Sequence, residues 1–330
     1  MKIRQNLWRH CFSYCCLLGL FAGMLLPAAD AGNRQQAQAA ERLEHILVKA
    51  PDQAVADFRI SSATMDSVTL SWTKASDAQT YYISYWESGK PSTAAEREDI
   101  GDVSEYTITN LKQVKYIFQI QPANKLHTGI PLKGAIAKTQ GAPAAAVPES
   151  VRLNHVAAGY CSLTVGGLDS LYRSEAEIYD ASGRLLESSE GDCAGVAIKD
   201  DSIKNNGFYA VRVRGFYDQA GGCRSYGDWS EYLYFATVVK PVKLSQKNGK
   251  VTVKWQAVQG AEGYTIAISK SASGGFRKAA ATAGTSAVVT KYSGTKLKSG
   301  KTYYFKVTAS MTRENQDYTA DSAVYKIKIK

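Results

Sequence analysis

The sequence has few histidines and none of the short motifs that mark common catalytic sites. Only 4 of its 330 residues are histidine, and they lie in separate segments without the HExxH or Cys/His spacing that holds zinc. No GxSxG sequence, Walker motif or Gly-rich phosphate loop occurs. Four aspartates could approach one another in loops, where carboxylates are typical turn formers; they are Asp192, Asp200, Asp201 and Asp228. We therefore expect no enzyme, no cofactor and no metal site.

Proline and long apolar runs are also scarce. Eight prolines are too few for a largely disordered chain. The one long apolar run, Cys11–Leu26, follows a basic start and precedes the small residues 29–31, a pattern typical of a signal peptide at 1–31. The run is shorter than the ~20 residues of a membrane span, which favours a cleaved signal over an uncleaved anchor. We expect a secreted or surface protein with no transmembrane segment in the mature chain.

Acidic residues are nearly absent from the last part of the chain. Residues 240–330 contain 17 lysines and arginines but only four acids, a net charge of +13. Since the whole chain carries +10, the remainder carries −3. The basic character of the protein therefore belongs to its last 91 residues.

Two strand signatures recur three times along the chain. The first is an alternating strand that ends at Trp72, Val165 and Trp255, in steps of 93 and 90 residues. The second contains Tyr116, Tyr209 and Tyr303, in steps of 93 and 94 residues. Such spacing indicates one structural unit written three times. Because each unit has about seven short strands and no helical segment, we predict antiparallel β-sandwiches.

The residues of the third repeat resemble fibronectin type III modules. The resemblance rests on Trp255, on the spacing from Leu297 to Tyr303, and on the strand at 261–266. This repeat is similar to modules in secreted proteins of Gram-positive bacteria. Repeat one fits as well, whereas repeat two lacks the tryptophan. The resemblance implies structural roles, in the core and at a turn, for the repeated tryptophans and tyrosines.

We therefore predict an all-β protein of three tandem antiparallel sandwiches of the fibronectin type III or Ig-like kind. They follow a signal peptide and a short leader, in which Leu43, Ile46 and Leu47 have helical spacing. The expected segments are a signal peptide at 1–31, a helical or flexible leader at 32–52, module one at 53–140, a linker at 141–146, a divergent module two at 147–239 and a basic module three at 240–330. Modules two and three are joined almost directly, which predicts a stiff joint.

The predicted topology brings two of the cysteines together. Three of the six precede residue 31, which leaves Cys161, Cys193 and Cys223. The loops that hold Cys193 and Cys223 emerge at one pole of the predicted sandwich, and export permits a disulfide between them. Cys161 is expected to stay a reduced core residue. The alternative is three unpaired thiols.

Strand alternation predicts an aromatic patch on module one. If Tyr81, Ile83 and Tyr85 face the core, Tyr82 and Trp86 face outward. Flat exposed rings can stack on sugars. The alternative is that Trp86 packs against the leader or a neighbouring loop.

The same alternation predicts a basic face on module three. In the last strand Lys326, Lys328 and Lys330 alternate with apolar residues, and Lys306 faces outward on the expected partner strand. On the opposite sheet Lys250 and Lys254 flank Thr252 in the same way. These lysines would attract polyanions. The alternative is that they only prevent unwanted strand pairing.

Two functions are compatible with this pattern. The first is a non-catalytic surface protein that binds an anionic polysaccharide, a wall polymer or a surface protein through module three. Export argues against nucleic acid as the partner. The second is a structural spacer or protein–protein adhesin without glycan binding. Fold alone does not decide between them.

Overall fold

The computed structural model describes residues 31–330. The predicted signal peptide therefore lies outside the described residues, except for its last position. The leader contains a helix, α1 (Ala31–Leu47). No helix between residues 31 and 330 is long and apolar enough to cross a membrane.

The rest of the described chain consists almost entirely of short strands. Module one contains β1 (Ala56–Ala63), β2 (Val68–Thr73), β3 (Thr80–Glu87), β4 (Glu96–Gly101), β5 (Glu105–Ile108), β6 (Tyr116–Lys125), β7 (Pro131–Lys133) and β8 (Ala137–Gly141). Module two contains β9 (Ser150–Ala157), β10 (Tyr160–Gly166), β11 (Arg173–Asp180), β12 (Leu185–Gly191), β13 (Gly195–Ile198), β14 (Phe208–Asp218), β15 (Arg224–Tyr226) and β16 (Leu233–Ala236). Module three contains β17 (Val242–Lys247), β18 (Lys250–Trp255), β19 (Gly263–Ser269), β20 (Arg277–Thr282), β21 (Ser286–Val289), β22 (Lys291–Tyr292), β23 (Thr295–Lys296), β24 (Thr302–Arg313), β25 (Gln316–Asp321) and β26 (Tyr325–Lys328).

Each module pairs a three-stranded sheet with a five-stranded one, and the same topology occurs three times. The small sheets have the orders β1-β2-β5, β9-β10-β13 and β17-β18-β21. The large sheets have the orders β4-β3-β6-β7, β12-β11-β14-β15 and β20-β19-β24-β25, with β8, β16 and β26 also pairing with the long strand of each sheet. Module three adds the hairpin β22-β23. The predicted all-β tandem of antiparallel sandwiches is confirmed.

The core of each module lies between its two sheets and includes the repeated first-signature residue. Trp72, Val165 and Trp255 are all buried. Trp72 packs against Tyr81 and Trp255 against Tyr264, with ring centroids 5.6 and 5.2 Å apart. Large rings at this position fill the space between two sheets that lie about 10 Å apart. Module two fills the same position with the smaller Val165.

The repeated tyrosines fix a turn in each module, as the resemblance implied. Each ring is buried, and each hydroxyl oxygen accepts a hydrogen bond from a backbone N–H four or five residues earlier in the chain. The bonds join Lys112 to Tyr116 at 3.1 Å, Lys204 to Tyr209 at 2.7 Å and Lys298 to Tyr303 at 3.3 Å.

The predicted linker at 141–146 is packed between modules one and two. Ala142, Ala144 and Ala145 are buried. The buried side chain of Gln219, from module two, donates to the Ala142 carbonyl at 2.7 Å and accepts from the Ala142 N–H at 3.1 Å. This paired amide satisfies linker backbone groups that would otherwise be unpaired away from water.

The joint between modules two and three has a shared core. Phe208 of module two and Val239, just before the boundary, are buried in the apolar cluster of module three. Short parallel bridges join Gly207 to Gln259 and Val239 to Ser322. The direct connection noticed in the sequence therefore corresponds to a closely packed joint.

Candidate binding surfaces

A tight hairpin positions four lysines on the small sheet of module three. Strands β17 and β18 are joined by Asn248 and Gly249, whose φ angles are +51° and +67°. Two consecutive positive φ values are typical of the type I′ turn, whose twist matches that of the flanking strands. Because the turn fixes the register, Lys247 lies directly opposite Lys250.

The same register places Lys243 directly opposite Lys254. Together with Lys247 and Lys250, these residues form the lysine quartet. All four are exposed, and none forms an ion pair within residues 31–330. Ser245 and Thr252, also cross-strand partners, lie between the two lysine pairs. The quartet is therefore an exposed basic surface with which no carboxylate of residues 31–330 is paired.

The predicted lysine face on the large sheet is present but partly neutralised. Lys326 pairs with Tyr304 and Lys328 with Thr302, so both lie on the same face as Lys306. However, the Lys306 ammonium lies 2.7 Å from a carboxylate oxygen of Asp321. Of the lysines predicted here, Lys326, Lys328 and Lys330 are exposed, whereas Lys306 is half-buried.

Gln246 connects the two lysine groups at one edge of the sandwich. Its side-chain amide donates to the Lys328 carbonyl at 3.1 Å and accepts from the Lys330 backbone N–H at 3.0 Å. The end of the last strand therefore lies beside β17. Sequence analysis had noted Lys250 and Lys254 but had missed Lys243 and Lys247, although the Asn-Gly turn was a signal for their register.

The predicted aromatic patch on module one is wrong for Trp86. Its side chain is only 7% exposed, and the Lys138 ammonium of β8 lies 5.9 Å from its ring centroid. Lys90 and Ala94, from the connection between β3 and β4, line the cleft beside it. Tyr82 is half-buried, and the Lys133 ammonium lies 4.2 Å from its ring centroid. Alternation gave the correct side of the sheet but not the segment that covers it.

The predicted disulfide is not formed: Cys161, Cys193 and Cys223 are all free within residues 31–330. Cys223 lies between β14 and β15, where its Sγ is 3.7 Å from the carbonyl oxygen of Ser61 in module one. Cys193 lies in the turn between β12 and β13. Packing between modules one and two thus turns Cys223 toward module one. Burial raises the pKa of the Cys161 thiol to about 12, in keeping with a reduced core residue.

The outward arginines of module two form a ladder with aromatic rings that sequence analysis had missed. The Trp229 ring lies 4.4 Å from the guanidinium of Arg212 and 4.3 Å from that of Arg214. Arg212 also pairs with Glu177, and Arg214 with Glu175, both at 2.7 Å. Guanidinium groups favour such simultaneous stacking and pairing. These charges therefore stabilise the module and are not free for a partner.

A cleft of about 420 Å³ lies at the joint between modules two and three. Its lining includes Tyr179, Tyr232 and Tyr234 together with Arg313 and the turn that follows β11. Asp180 holds this turn by accepting bonds from the Ser182 N–H at 2.9 Å and the Ser182 hydroxyl at 2.5 Å. Burial disfavours the Asp180 carboxylate, but these bonds outweigh it and lower its pKa.

Two of the four loop carboxylates singled out in the sequence act as turn formers. Asp192 accepts hydrogen bonds from the N–H groups of Ala194 and Gly195, and Asp200 accepts from that of Ser202. Among residues 31–330, no group of three or more His, Cys, Asp or Glu side chains is arranged to hold a metal ion.

One protein family is similar to the first module. Module one matches the fibronectin type III domain family, over residues 53–134. Modules two and three repeat the sheet pattern of module one. The similarity of module three to modules of Gram-positive bacteria stays a prediction.

Solved structures similar to the chain include two fibronectin type III tandems from chicken. The FN1–FN3 domains of chicken CNTN1 are 17% identical, with coverage of 84% of this chain and 98% of that one and a TM-score of 0.24. A two-domain fibronectin type III segment of chicken tenascin is 11% identical, with coverage of 56% and 100% and a TM-score of 0.30. No curated protein sequence matches the chain. At these TM-scores the two structures indicate nothing about function.

Proposed function

We propose that the protein is a non-catalytic, exported binding protein whose third module attaches it to an anionic polymer at a cell surface. One observation carries the proposal. Of the 17 basic residues between 240 and 330, only Lys306 and Arg313 form ion pairs within the described part of the chain. A module with so many unpaired cations raises the local concentration of polyanions and speeds their encounter.

Salt-dependent binding of the chain from residue 32 onward tests this function. The protein is passed over immobilised dextran sulfate and, as a matched neutral surface, over dextran. We expect binding to dextran sulfate only, with affinity falling at least about tenfold between about 50 and 300 mM salt because ions screen exposed charges. Absence of binding to dextran sulfate at 50 mM salt would contradict the proposal.

A second function, a structural spacer that holds partners apart, is favoured by the two packed joints. Gln219 is hydrogen bonded to the linker, and Phe208 lies within the core of the next module. Such contacts oppose bending of the tandem. Small-angle scattering should give a narrow distribution of dimensions, which Gln219→Ala broadens by freeing the first joint. An equally broad distribution for the unaltered chain would exclude a stiff spacer.

A further inference from the structure

The lysine quartet is an arrangement that folding alone does not favour. Like charges directly opposite each other in an antiparallel pair destabilise the pair, yet β17 and β18 contain two such lysine pairs. No carboxylate within residues 31–330 forms an ion pair with any of these four lysines. The unfavourable arrangement therefore calls for an explanation outside the module's own stability.

Edge protection accounts for only half of the quartet. Lysines on an edge strand prevent unwanted pairing with another chain, and β17 is an edge strand. Strand β18, however, is the central strand of its sheet, between β17 and β21. Lys250 and Lys254 therefore do not lie on an edge strand, and edge protection does not explain their charges.

The geometry of the quartet suits a long ligand with repeated anionic groups. Lys243 and Lys247 are four residues apart on one strand, so the two lysine pairs lie about 13 Å from each other. One small anion cannot contact both pairs, whereas a linear polymer lying along the hairpin can. Ser245 and Thr252 place hydroxyl groups between the pairs, where they can donate to ester oxygens.

We propose that the lysine quartet is a binding site for a linear polymer of phosphate or sulfate esters, which lies along the β17–β18 hairpin. This site rests on the proposed function of module three and names where its ligand binds. The large-sheet lysines are the rival location, but Asp321 neutralises Lys306 there. A carboxylate in that position also repels an incoming polyanion.

Two variants with the same change in charge separate the quartet from its rival. In the first, Lys243, Lys247, Lys250 and Lys254 are all replaced by glutamine. In the matched control, the four replaced lysines are Lys278, Lys326, Lys328 and Lys330, all exposed. Both are made in the chain from residue 32 onward and measured against dextran sulfate and poly(glycerol phosphate) at about 50 mM salt, so that the two sources of ester are compared.

We expect the quartet variant to lose at least about tenfold in affinity and the control less than about threefold. The slope of log affinity against log salt should become shallower by about 3 in the quartet variant, since each lost contact removes about 0.7 from the counterion release. The site is supported if either polymer binds and the quartet variant loses more affinity than the control by these amounts. Equal losses in the two variants would overturn it while leaving the proposed function intact; no binding by the unaltered chain would overturn both.

Two further measurements exclude a folding defect and a small-ligand site. Replacing all four quartet lysines by arginine retains the charge and should retain affinity within about threefold; loss as large as with glutamine would overturn the proposal. Inorganic phosphate should compete with the polymer only at charge concentrations at least about 100-fold higher. Competition at equal charge concentration would show that no linear ligand is needed.

Discussion

Modules two and three have the same topology but use their positive charges in opposite ways. In module two Arg173, Arg184, Arg212, Arg214 and Arg224 all form ion pairs. Most of these guanidinium groups also lie against aromatic rings. In module three, with about twice as many basic residues, ion pairs involve only Lys306 and Arg313 among the described residues.

The choice of basic residue follows this division. A guanidinium is planar, so one arginine can stack on a ring and pair with a carboxylate at the same time. An ammonium on a flexible stem is strongly hydrated and suits a mobile polymer as a point charge. The comparison teaches that net charge per module is a poor guide to binding: only the unpaired fraction is available to a ligand.

The two modules also differ at the centre of the core, and this difference should give the largest effect. Trp255→Ala should lower the free energy of unfolding of module three by about 3–5 kcal/mol because it leaves a large cavity. Val165→Ala at the equivalent position should lower that of module two by about 2 kcal/mol. Hydrogen exchange of strand amides measures each module separately.

Trp255→Phe is the control for ring packing. The indole Nε1 of Trp255 has no hydrogen-bond partner among the described residues. The loss of free energy of unfolding should therefore come only from reduced volume and should be less than half of that for alanine. An equal loss for phenylalanine and alanine would show that cavity size does not govern this core.

Removing one charge from each module should distinguish a cation that stabilises its module from a cation that is unpaired. Arg212→Ala should destabilise module two by about 2 kcal/mol, since it leaves the largely buried Glu177 carboxylate without its ion partner and opens the ladder. Lys254→Ala should change the free energy of unfolding of module three by less than about 0.5 kcal/mol. Hydrogen exchange provides the comparison, and equal effects of the two substitutions would contradict the division.

Arg212→Lys tests whether the planar group is required. Lysine retains the charge but cannot stack and pair in the same geometry, so about half of the alanine effect should remain. If Arg212→Lys were as stable as the unaltered chain, a simple ion pair would account for the stabilisation and the planar group would not be required.

The sequence was sufficient for what depends on period and spacing. Alternation and the 90-residue repeat predicted the sandwiches and the equivalent buried positions of Trp72 and Trp255, whereas the turns at Tyr116, Tyr209 and Tyr303 were implied by the resemblance to fibronectin type III modules. The exposed faces of Lys326 and Lys328 also follow from period two. Each of these features lies within one strand or recurs in the same way in every module. They can therefore be predicted without knowledge of contacts between distant segments.

What sequence analysis missed depends on contacts between distant segments. Trp86 lies on the predicted side of its sheet, near Lys138 of β8, but is buried. The connection that lines the cleft beside it follows a path without a period. Cys223 is turned toward Ser61 by the packing of modules one and two. The cross-strand lysine pairs follow from a register that period two alone does not fix, although the Asn248–Gly249 turn would have fixed it.

The joint between modules two and three should be sensitive to a single methyl group. At Gly260, where φ is +83°, a Cβ would lie 2.3 Å from the Cβ of Ala181. Gly260→Ala should therefore weaken the joint by about 1–2 kcal/mol, through backbone strain and displacement of the β11–β12 turn. Faster exchange of the Phe208 and Gln259 amides measures the effect.

Gly249→Ala is the matched control for Gly260→Ala. Gly249 also has a positive φ, +67°, but a Cβ there meets no atom of residues 31–330 within 4 Å. It should strain the hairpin without affecting joint amides. If both variants expose Phe208 and Gln259 equally, the close approach of Ala181 is not what requires glycine at 260.

Acid should weaken the same joint through Asp180. Its folded-state pKa is lowered from 3.8, so the stabilisation is complete above about pH 4 and is lost as pH falls through the folded pKa. We expect a loss of stability that is seen as faster exchange at the turn after β11 relative to the module cores. Asp180→Asn should remove most of this dependence below pH 4; an unchanged pH profile would assign it to other carboxylates.

The smallest effect should come from reversing one charge of the quartet. Lys250→Glu places a carboxylate opposite Lys247 across the Asn-Gly turn and converts a repulsive pair into an attractive one. The free energy of unfolding of module three should rise by about 0.2–1 kcal/mol, and the gain should shrink as salt is raised from about 50 to 500 mM because the pair is exposed to solvent. Lys301→Glu, an exposed lysine outside the strands, makes the same charge change without a cross-strand lysine and should give a smaller gain. Equal gains would mean that the module responds to net charge alone. A gain confined to Lys250→Glu, together with weaker polyanion binding, would show that the lysines of this hairpin favour binding at the expense of stability. In module two, by contrast, the paired arginines stabilise the module.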